Sequence, residues 1–183
     1  MTREKIKILA ISGSLRPSSS ASAVLRIVAD LVTDQVDFNI YNGIGNIPAF
    51  DDSSQVLAEV NNFINLISEA DGVFFCIPEY AFGVPGALKN ALDWTVASTA
   101  FTDKPVALIT AASGGEKAHA AFALTLTALG SRISEETKLL IPFIRTKLNE
   151  KGEMTDLATL ISIKWVINVL LQTVGSPGLI TAK

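Results

Sequence analysis

The sequence predicts a doubly wound α/β fold, a parallel sheet covered by helices on both faces. Three observations point to it. Short apolar runs alternate with helical patterns five times along the chain. Those runs lack the in–out alternation of a half-exposed strand, as expected for strands buried on both sides. The segment IPEYAFGVPGALKNALDW, from Ile77 to Trp94, reads as a strand end, a tight turn and a helix entry.

Taken in order, the expected strands are Ile6–Ile11, Asp37–Tyr41, Gly72–Ile77, Val106–Thr110 and roughly Thr137–Ile141. The expected helices are Ser20–Val32, Ser54–Glu69, Pro85–Ser98, Glu116–Leu129 and Thr155–Val174. Periodicity is clearest in the first helix, where Val24, Ile27, Val28, Leu31 and Val32 fall at i, i+3, i+4, i+7 and i+8. Pro85 suits the first position of its helix, where a missing N–H is no loss. Gly83 and Gly86 permit close backbone approach, and Gly83 can also take a positive φ. Asn42–Ser53 and Thr146–Met154 read as surface connections rich in turn residues. In the last helix Lys164, Asn168 and Gln172 form one narrow polar stripe, so most of its circumference should be covered. It packs on the sheet or at a subunit interface. The helix after Pro85 has a similar apolar excess in Leu88, Leu92, Trp94 and Val96.

A length of 183 residues predicts one domain spanning 1–183, with a core large enough to need no metal or disulfide staple. The net charge of −3 argues against a nucleic-acid partner, because phosphate backbones demand a basic surface. A single cysteine, Cys76, excludes an internal disulfide and fits a reducing cytoplasm. No signal peptide is read at the start, MTREKIKILAIS. Mean hydropathy is high, at +0.39, yet no apolar run reaches the roughly 18 residues that suggest a membrane span. The surplus belongs in a doubly covered sheet and in a contact between subunits.

In open α/β sheets ligands bind outside the carboxyl ends of the strands. The first such loop reads ISGSLRPSSSAS. Free N–H groups and the positive end of the helix dipole make it an anion site. Ser12, Ser14, Ser18, Ser19 and Ser20 add hydroxyls and Arg16 adds a permanent charge, which together suit a phosphomonoester. The same serines equally suit a turn and a helix cap. The loop is neither GxGxxG nor a P-loop lysine motif, so a tightly bound dinucleotide or nucleoside triphosphate is not expected.

The second loop presents Pro78, Glu79, Tyr80, Ala81, Phe82 and Gly83, and the third presents Ser113, Gly114 and Gly115. Each has a plainer alternative. Tyr80 and Phe82 suit a rim or core, Glu79 a cap or a contact between subunits, and the glycine pair a helix start. The sole histidine, His119, has no second His or Cys cluster near it in sequence, so zinc is not expected. Cys76, in an apolar strand, reads as inert. Neither a GxSxG elbow nor a Ser–His–Asp set is present.

The second-loop segment resembles the PEYxxGxPGxLKNAxDW signature of the NADPH-dependent FMN reductases, a flavodoxin-like family. Gly13, Ser14, Leu15 and Arg16 match the GSLR of that family's first loop. Ala21 stands where the family usually has asparagine. The resemblance spans roughly Ile6 to Leu129. It implies the strand order 2-1-3-4-5, bound FMN, and NADPH or NADH as donor. The first loop would hold the phosphate and the next two the isoalloxazine, with Glu79, Tyr80, Ala81 and Phe82 under or beside the ring. Lys89, Asn90 and Asp93 would be structural or interface residues. No side chain need be catalytic, because the cofactor carries the chemistry. The acceptor would be a small molecule: a flavin, quinone, azo compound or metal oxyanion. A homodimer or homotetramer is implied as well. An electron-transfer module without its own NAD(P)H activity is the alternative, and a member that has lost FMN is a third.

Overall fold

The computed structural model describes residues 5–52 and 57–175. Five parallel strands form one sheet in the order β2-β1-β3-β4-β5. They are β1 (Ile6–Ser12), β2 (Val36–Tyr41), β3 (Gly72–Ile77), β4 (Val106–Ala111) and β5 (Lys138–Ile141). The helices are α1 (Ser20–Leu31), α2 (Ala58–Glu69), α3 (Gly86–Asp93), α4 (Glu116–Ala128) and α5 (Leu157–Thr173). The fold class, every strand and the strand order implied by the resemblance are thus present.

The strand period of two divides the core. Leu9, Ile11, Val73, Phe75, Ile77 and Leu108 point to one face, under α2, α3 and α4. Ile8, Ala10, Phe74, Cys76, Ala107 and Ile109 point to the other, under α1 and α5. Every residue of β3 and β4 is buried, which explains why their sequences show no alternation.

The structure corrects several boundaries. The expected Ser54–Glu69 helix starts at Ala58, and its residues 54–56 lie outside the described part. Thr137 belongs to a 3-10 turn before β5. Pro85 is the cap of α3 rather than its first residue, because its ψ of 127° is extended. That helix stops at Asp93, not Ser98. The Thr95 amide and hydroxyl both bond the Leu92 carbonyl, at 2.9 and 2.7 Å, and the chain leaves the helix in turns. Leu88, Leu92 and Trp94 are buried in the core, leaving only Val96 of that group exposed. Asn90 holds the loop after β2: its Nδ2 donates to the Pro48 carbonyl at 2.8 Å and its Oδ1 accepts from the Phe50 amide. Lys89 and Asp93 pair with each other. Asn90 is therefore structural, and Lys89 and Asp93 form a surface pair on α3.

The last helix departs most from expectation. Leu157, Ile161 and Trp165, at i, i+4 and i+8, are 59–70% exposed. Its buried face, with Ile163, Val166, Ile167, Leu170 and Leu171, fits the sheet. An apolar stripe therefore remains on its outer side.

Phe75 sits fully buried between the rings of Phe122, at 5.0 Å edge-on, and Phe101, at 6.2 Å. Truncation would leave a cavity in the middle of that face. Phe75→Ala should lower stability by about 3–5 kcal/mol, read from the urea midpoint.

Candidate functional site

The carboxyl ends of β1, β3, β4 and β5 open into a cavity of about 150 Å³. The first loop brings Arg16, Ser19, Ser20 and Ala21. The second brings Pro78, Glu79 and Tyr80, and the third Ala112, Ser113 and Gly114. These are three loops far apart in sequence, brought together by strand order alone.

In the first loop, Ser19 is the N-cap of α1, and its Oγ accepts from the Ser22 amide at 3.1 Å. The capping reading therefore holds for Ser19. The first amides of a helix lack intrahelical partners, so those of Ser20 and Ala21 stay free for an anion. Ser12 is turned inward and bonds the Ser14 amide and carbonyl, both at 3.1 Å. Ser14 reaches the Tyr80 hydroxyl at 3.3 Å and so ties the first loop to the second. Ser12 and Ser14 line a neighbouring cavity on the β2 side, and Ser18 lines one on the α1 side. Ala21 is buried against α1's core face yet also borders the main cavity.

The second loop is a two-residue hairpin turn. Tyr80 and Gly83 exchange backbone hydrogen bonds at 3.1 and 2.9 Å across Ala81 and Phe82. Such a turn needs positive φ at both central residues. Ala81 has φ 49° and Phe82 φ 60°, so the positive φ expected at Gly83 falls instead on two non-glycine residues. Each costs roughly 1–3 kcal/mol. Ala81, Phe82 and Gly83 stand outside the main cavity, with Phe82 79% exposed at its rim. A Cβ on Gly86 would meet nothing within 4 Å, so the space above it is open to a ligand or partner.

Glu79 caps another element. Its Oε2 accepts from the Ala118 amide, at 2.8 Å, in the first turn of α4. That amide is one of the orphan donors of a helix whose own cap residue, Gly115, has no side chain. Glu79 thus caps a helix 39 positions away rather than its own turn. Gly115 lies outside the cavity at φ 114°, where a Cβ would be 2.8 Å from Leu140. It starts the helix, whereas Ser113 and Gly114 face the site.

Ile144 and Arg145 also line the cavity and were not foreseen. They follow β5, and the chain there is sewn to the third loop. The Phe143 amide donates to the Ser113 carbonyl at 3.3 Å and that of Ile144 to the Ala112 carbonyl at 3.2 Å. The sequence signal was available: β5 is a fifth strand whose carboxyl end must reach the same edge.

His119 lies in α4, with Nδ1 2.8 Å from the Thr110 hydroxyl. Burial, with Lys138 adding to it, lowers its pKa below the ordinary 6.5. The Cys76 thiol is fully buried and pushed far up by burial, which makes it inert.

A family model described as NADPH-dependent FMN reductase matches residues 6–144. The chain is 31% identical over 156 residues to an NADH:(hydroxy)cinnamate reductase subunit of Vibrio ruber, covering 81% of this chain and 77% of that one. It is 29% identical to a quinone reductase of Escherichia coli, covering 86% and 89% of the two chains. Among solved structures, the flavoenzyme NAD(P)H:(acceptor) oxidoreductase of Paracoccus denitrificans superposes with TM-score 0.78 at 23% identity. That match covers 93% of this chain and 97% of the other.

Two outcomes are expected. Phe82→Gly should raise stability by about 1 kcal/mol in urea denaturation, since relief of strain outweighs the extra freedom of the unfolded chain. His119 should make the fold acid-sensitive. Above pH 6.5 both states hold it neutral. Below 6.5 the unfolded chain takes up the proton first, so stability falls as pH drops towards the lower folded pKa. His119→Asn should flatten that part of a plot of unfolding free energy against pH.

Proposed function

The chain belongs to the NADPH-dependent FMN reductase family, and on that premise we propose that it passes electrons to a small quinone-type acceptor through FMN held in the three-loop cavity. It is an NAD(P)H-dependent flavin oxidoreductase. What carries the site assignment is the cavity itself, where free helix amides, the Arg16 guanidinium and two glycine-bearing loops converge. The residues present fit FMN. Ser20 and Ala21 offer unpaired amides at the positive end of α1, and Arg16 has no carboxylate within salt-bridge distance among the described residues. Gly114 lines the cavity without adding a side chain to it.

When bound, FMN would supply the hydride and electron transfer between nicotinamide and acceptor, so no side chain of the protein need be catalytic. Its residues bind and orient. Arg16 and Ser20 with the first-turn amides would hold the phosphate, while Ser18 lines the neighbouring cavity. Tyr80 and Pro78 would border the ring, and the Ser113–Gly114 backbone would offer it polar groups. Glu79 positions the third loop through α4 rather than touching the reacting atoms. Ala81, Phe82 and Gly83 form the outer rim, where an apolar acceptor would arrive.

We read the whole chain as one flavin-binding domain acting in the cytoplasm, and as a homodimer or homotetramer. The exposed stripe of Leu157, Ile161 and Trp165 supports a second copy. The sole cysteine supports a reducing compartment. No helix among the described residues is long and apolar enough to cross a membrane.

The test is the visible spectrum of purified protein with FMN added. Flavin bands bleached anaerobically by NADPH or NADH are expected, and no bound flavin in excess FMN would overturn the reading. Arg16→Ala should weaken FMN by about 1.5–3 kcal/mol, more than tenfold, and leave riboflavin nearly unaffected. Equal losses for both would make Arg16 structural.

A further inference from the structure

The third loop is anchored from beneath by the chain's one histidine. His119 closes the first turn of α4, and its side chain is half-buried. Its Nδ1 lies 2.8 Å from the hydroxyl of Thr110, the last residue but one of β4. Thr110 is fully buried, and among the described residues this nitrogen is its hydroxyl's one hydrogen-bond partner. The Thr110 methyl supports the loop from the same position. A Cβ on Gly115 would lie 3.0 Å from that methyl and 2.8 Å from Leu140, so the loop rests directly on both side chains. The His119 amide in turn donates to the Gly115 carbonyl at 2.9 Å. His119 thus clasps the segment at both ends, by its ring at Thr110 and by its backbone at Gly115. Between those points lie Ala111, Ala112, Ser113 and Gly114, all of which line the flavin cavity.

A buried hydroxyl leaves its hydrogen unsatisfied unless that hydrogen reaches an acceptor, and the acceptor here is the imidazole. The neutral ring therefore accepts from Thr110 at Nδ1 and carries its own proton on Nε2. Protonation puts a hydrogen on both nitrogens. The bond to Thr110 must then reverse, stranding the threonine hydrogen inside the fold, or the ring must leave. Either response loosens the clasp on the third loop. Burial disfavours the charged ring, Lys138 at the start of β5 adds to that, and Glu135 in the turn before β5 opposes it. Lys138 and Glu135 also pair with each other at 2.6 Å. Glu116 and Lys117 share the ring's turn of α4, and Glu79 of the second loop is committed to the neighbouring Ala118 amide. At neutral pH the ring is uncharged and the clasp is closed.

We propose that His119 is a positioning residue for the flavin: neutral, it fixes the third loop through Thr110, and protonated, it releases that loop and weakens the hold on FMN. The inference rests on the FMN assignment of the cavity. Its consequence is a grip linked to protons. A ligand that favours the neutral ring must lower the ring's affinity for a proton by the same factor. Retention is full at neutral pH and falls as pH drops through the imidazole pKa of the folded chain. The flavin phosphate acts in the opposite sense, since a nearby anion favours a charged imidazole. The sign of the coupling therefore separates a clasp on the loop from simple attraction between charges.

The test uses the fact that the chain has a single imidazole, whose proton NMR signal is therefore its own label. That signal is titrated through the histidine range with and without saturating FMN, and FMN affinity is measured at neutral and acid pH. The chains compared are the parent, His119→Asn and Thr110→Val. FMN should lower the imidazole midpoint by about 0.5 pH unit or more, equal to about a threefold or greater loss of affinity on the acid side. Asparagine keeps an acceptor for Thr110 and takes up no proton, so His119→Asn should hold FMN without that loss. Thr110→Val keeps the methyl and removes the hydroxyl, so FMN should no longer move the midpoint. The FMN phosphate titrates in the same range, and the difference between parent and variant removes its share. A midpoint that FMN raises or leaves unchanged would overturn the proposal, as would equal acid losses in the parent and His119→Asn. A chain that takes up no FMN at neutral pH fails the earlier reading instead. The amide signals of Ser113, Gly114 and Gly115 in the flavin-free chain then still decide the clasp. They should titrate with the imidazole in the parent and not in Thr110→Val, and amides that ignore that titration in the parent would sink it.

Discussion

The first loop leaves β1 by passing directly over the end of β3, and this close passage shapes everything at the carboxyl edge. At Gly13 the amide donates to the Cys76 carbonyl at 2.8 Å, and a Cβ there would lie 3.0 Å from that of Ile77 and 3.1 Å from its Cα. The obstruction is backbone, which cannot swing aside. Any side chain would lift the loop off the sheet and with it the start of α1, whose free amides face the cavity. Order β2-β1-β3 makes this the point where the chain's winding reverses, so the crevice is a consequence of topology and Gly13 keeps it shallow.

The remaining loops are fastened to one another more than to the sheet. Tyr80 reaches Ser14, Glu79 reaches the Ala118 amide, and the segment after β5 bonds the carbonyls of Ala112 and Ser113. Each bond links a different pair of βα connections, so no loop can move without loosening a neighbour. This bracing explains how the Ala81–Phe82 turn keeps two residues at positive φ. A ligand site braced in this way benefits because ordering is completed during folding rather than at binding.

How much of this was legible follows from the range of the interactions. The strands and the core faces rest on local apolar runs, and Gly72–Ile77 was read to the residue. Arg16, Ser19, Ser20, Pro78, Glu79, Tyr80, Ser113 and Gly114 gather in one cavity because parallel strands place their carboxyl ends together. What was not legible depends on partners distant in sequence. Positive φ looked natural at Gly83, yet the bond pair between Tyr80 and Gly83 puts it on the two residues between them. The α3 terminus is set by Thr95 turning back on Leu92, and Trp94 anchors to Pro48, 46 residues away. Arg145 falls between the expected fifth strand and the Thr146–Met154 connection, where no motif marked it. The outer stripe of α5 was masked because its composition alone does not say which apolar residues the sheet takes.

The polar inventory of the cleft also says what kind of selectivity this chain can exert. Glu79 is committed to a helix amide, His119 to Thr110 on the inner side of α4, and the Cys76 thiol is buried and held protonated. Among the described residues at this edge, that leaves Arg16 and Arg145 as the other charged groups lining the main cavity. Fixed cations bind and discriminate by charge, and they neither give nor take protons near neutral pH. The turn of the second loop carries the opposite character, with Phe82 exposed and little polar chemistry to reject a guest. Such a site can be strict towards the phosphates that enter it and permissive towards what it reduces. That division follows from where the chain places guanidinium groups and where it places an aromatic rim.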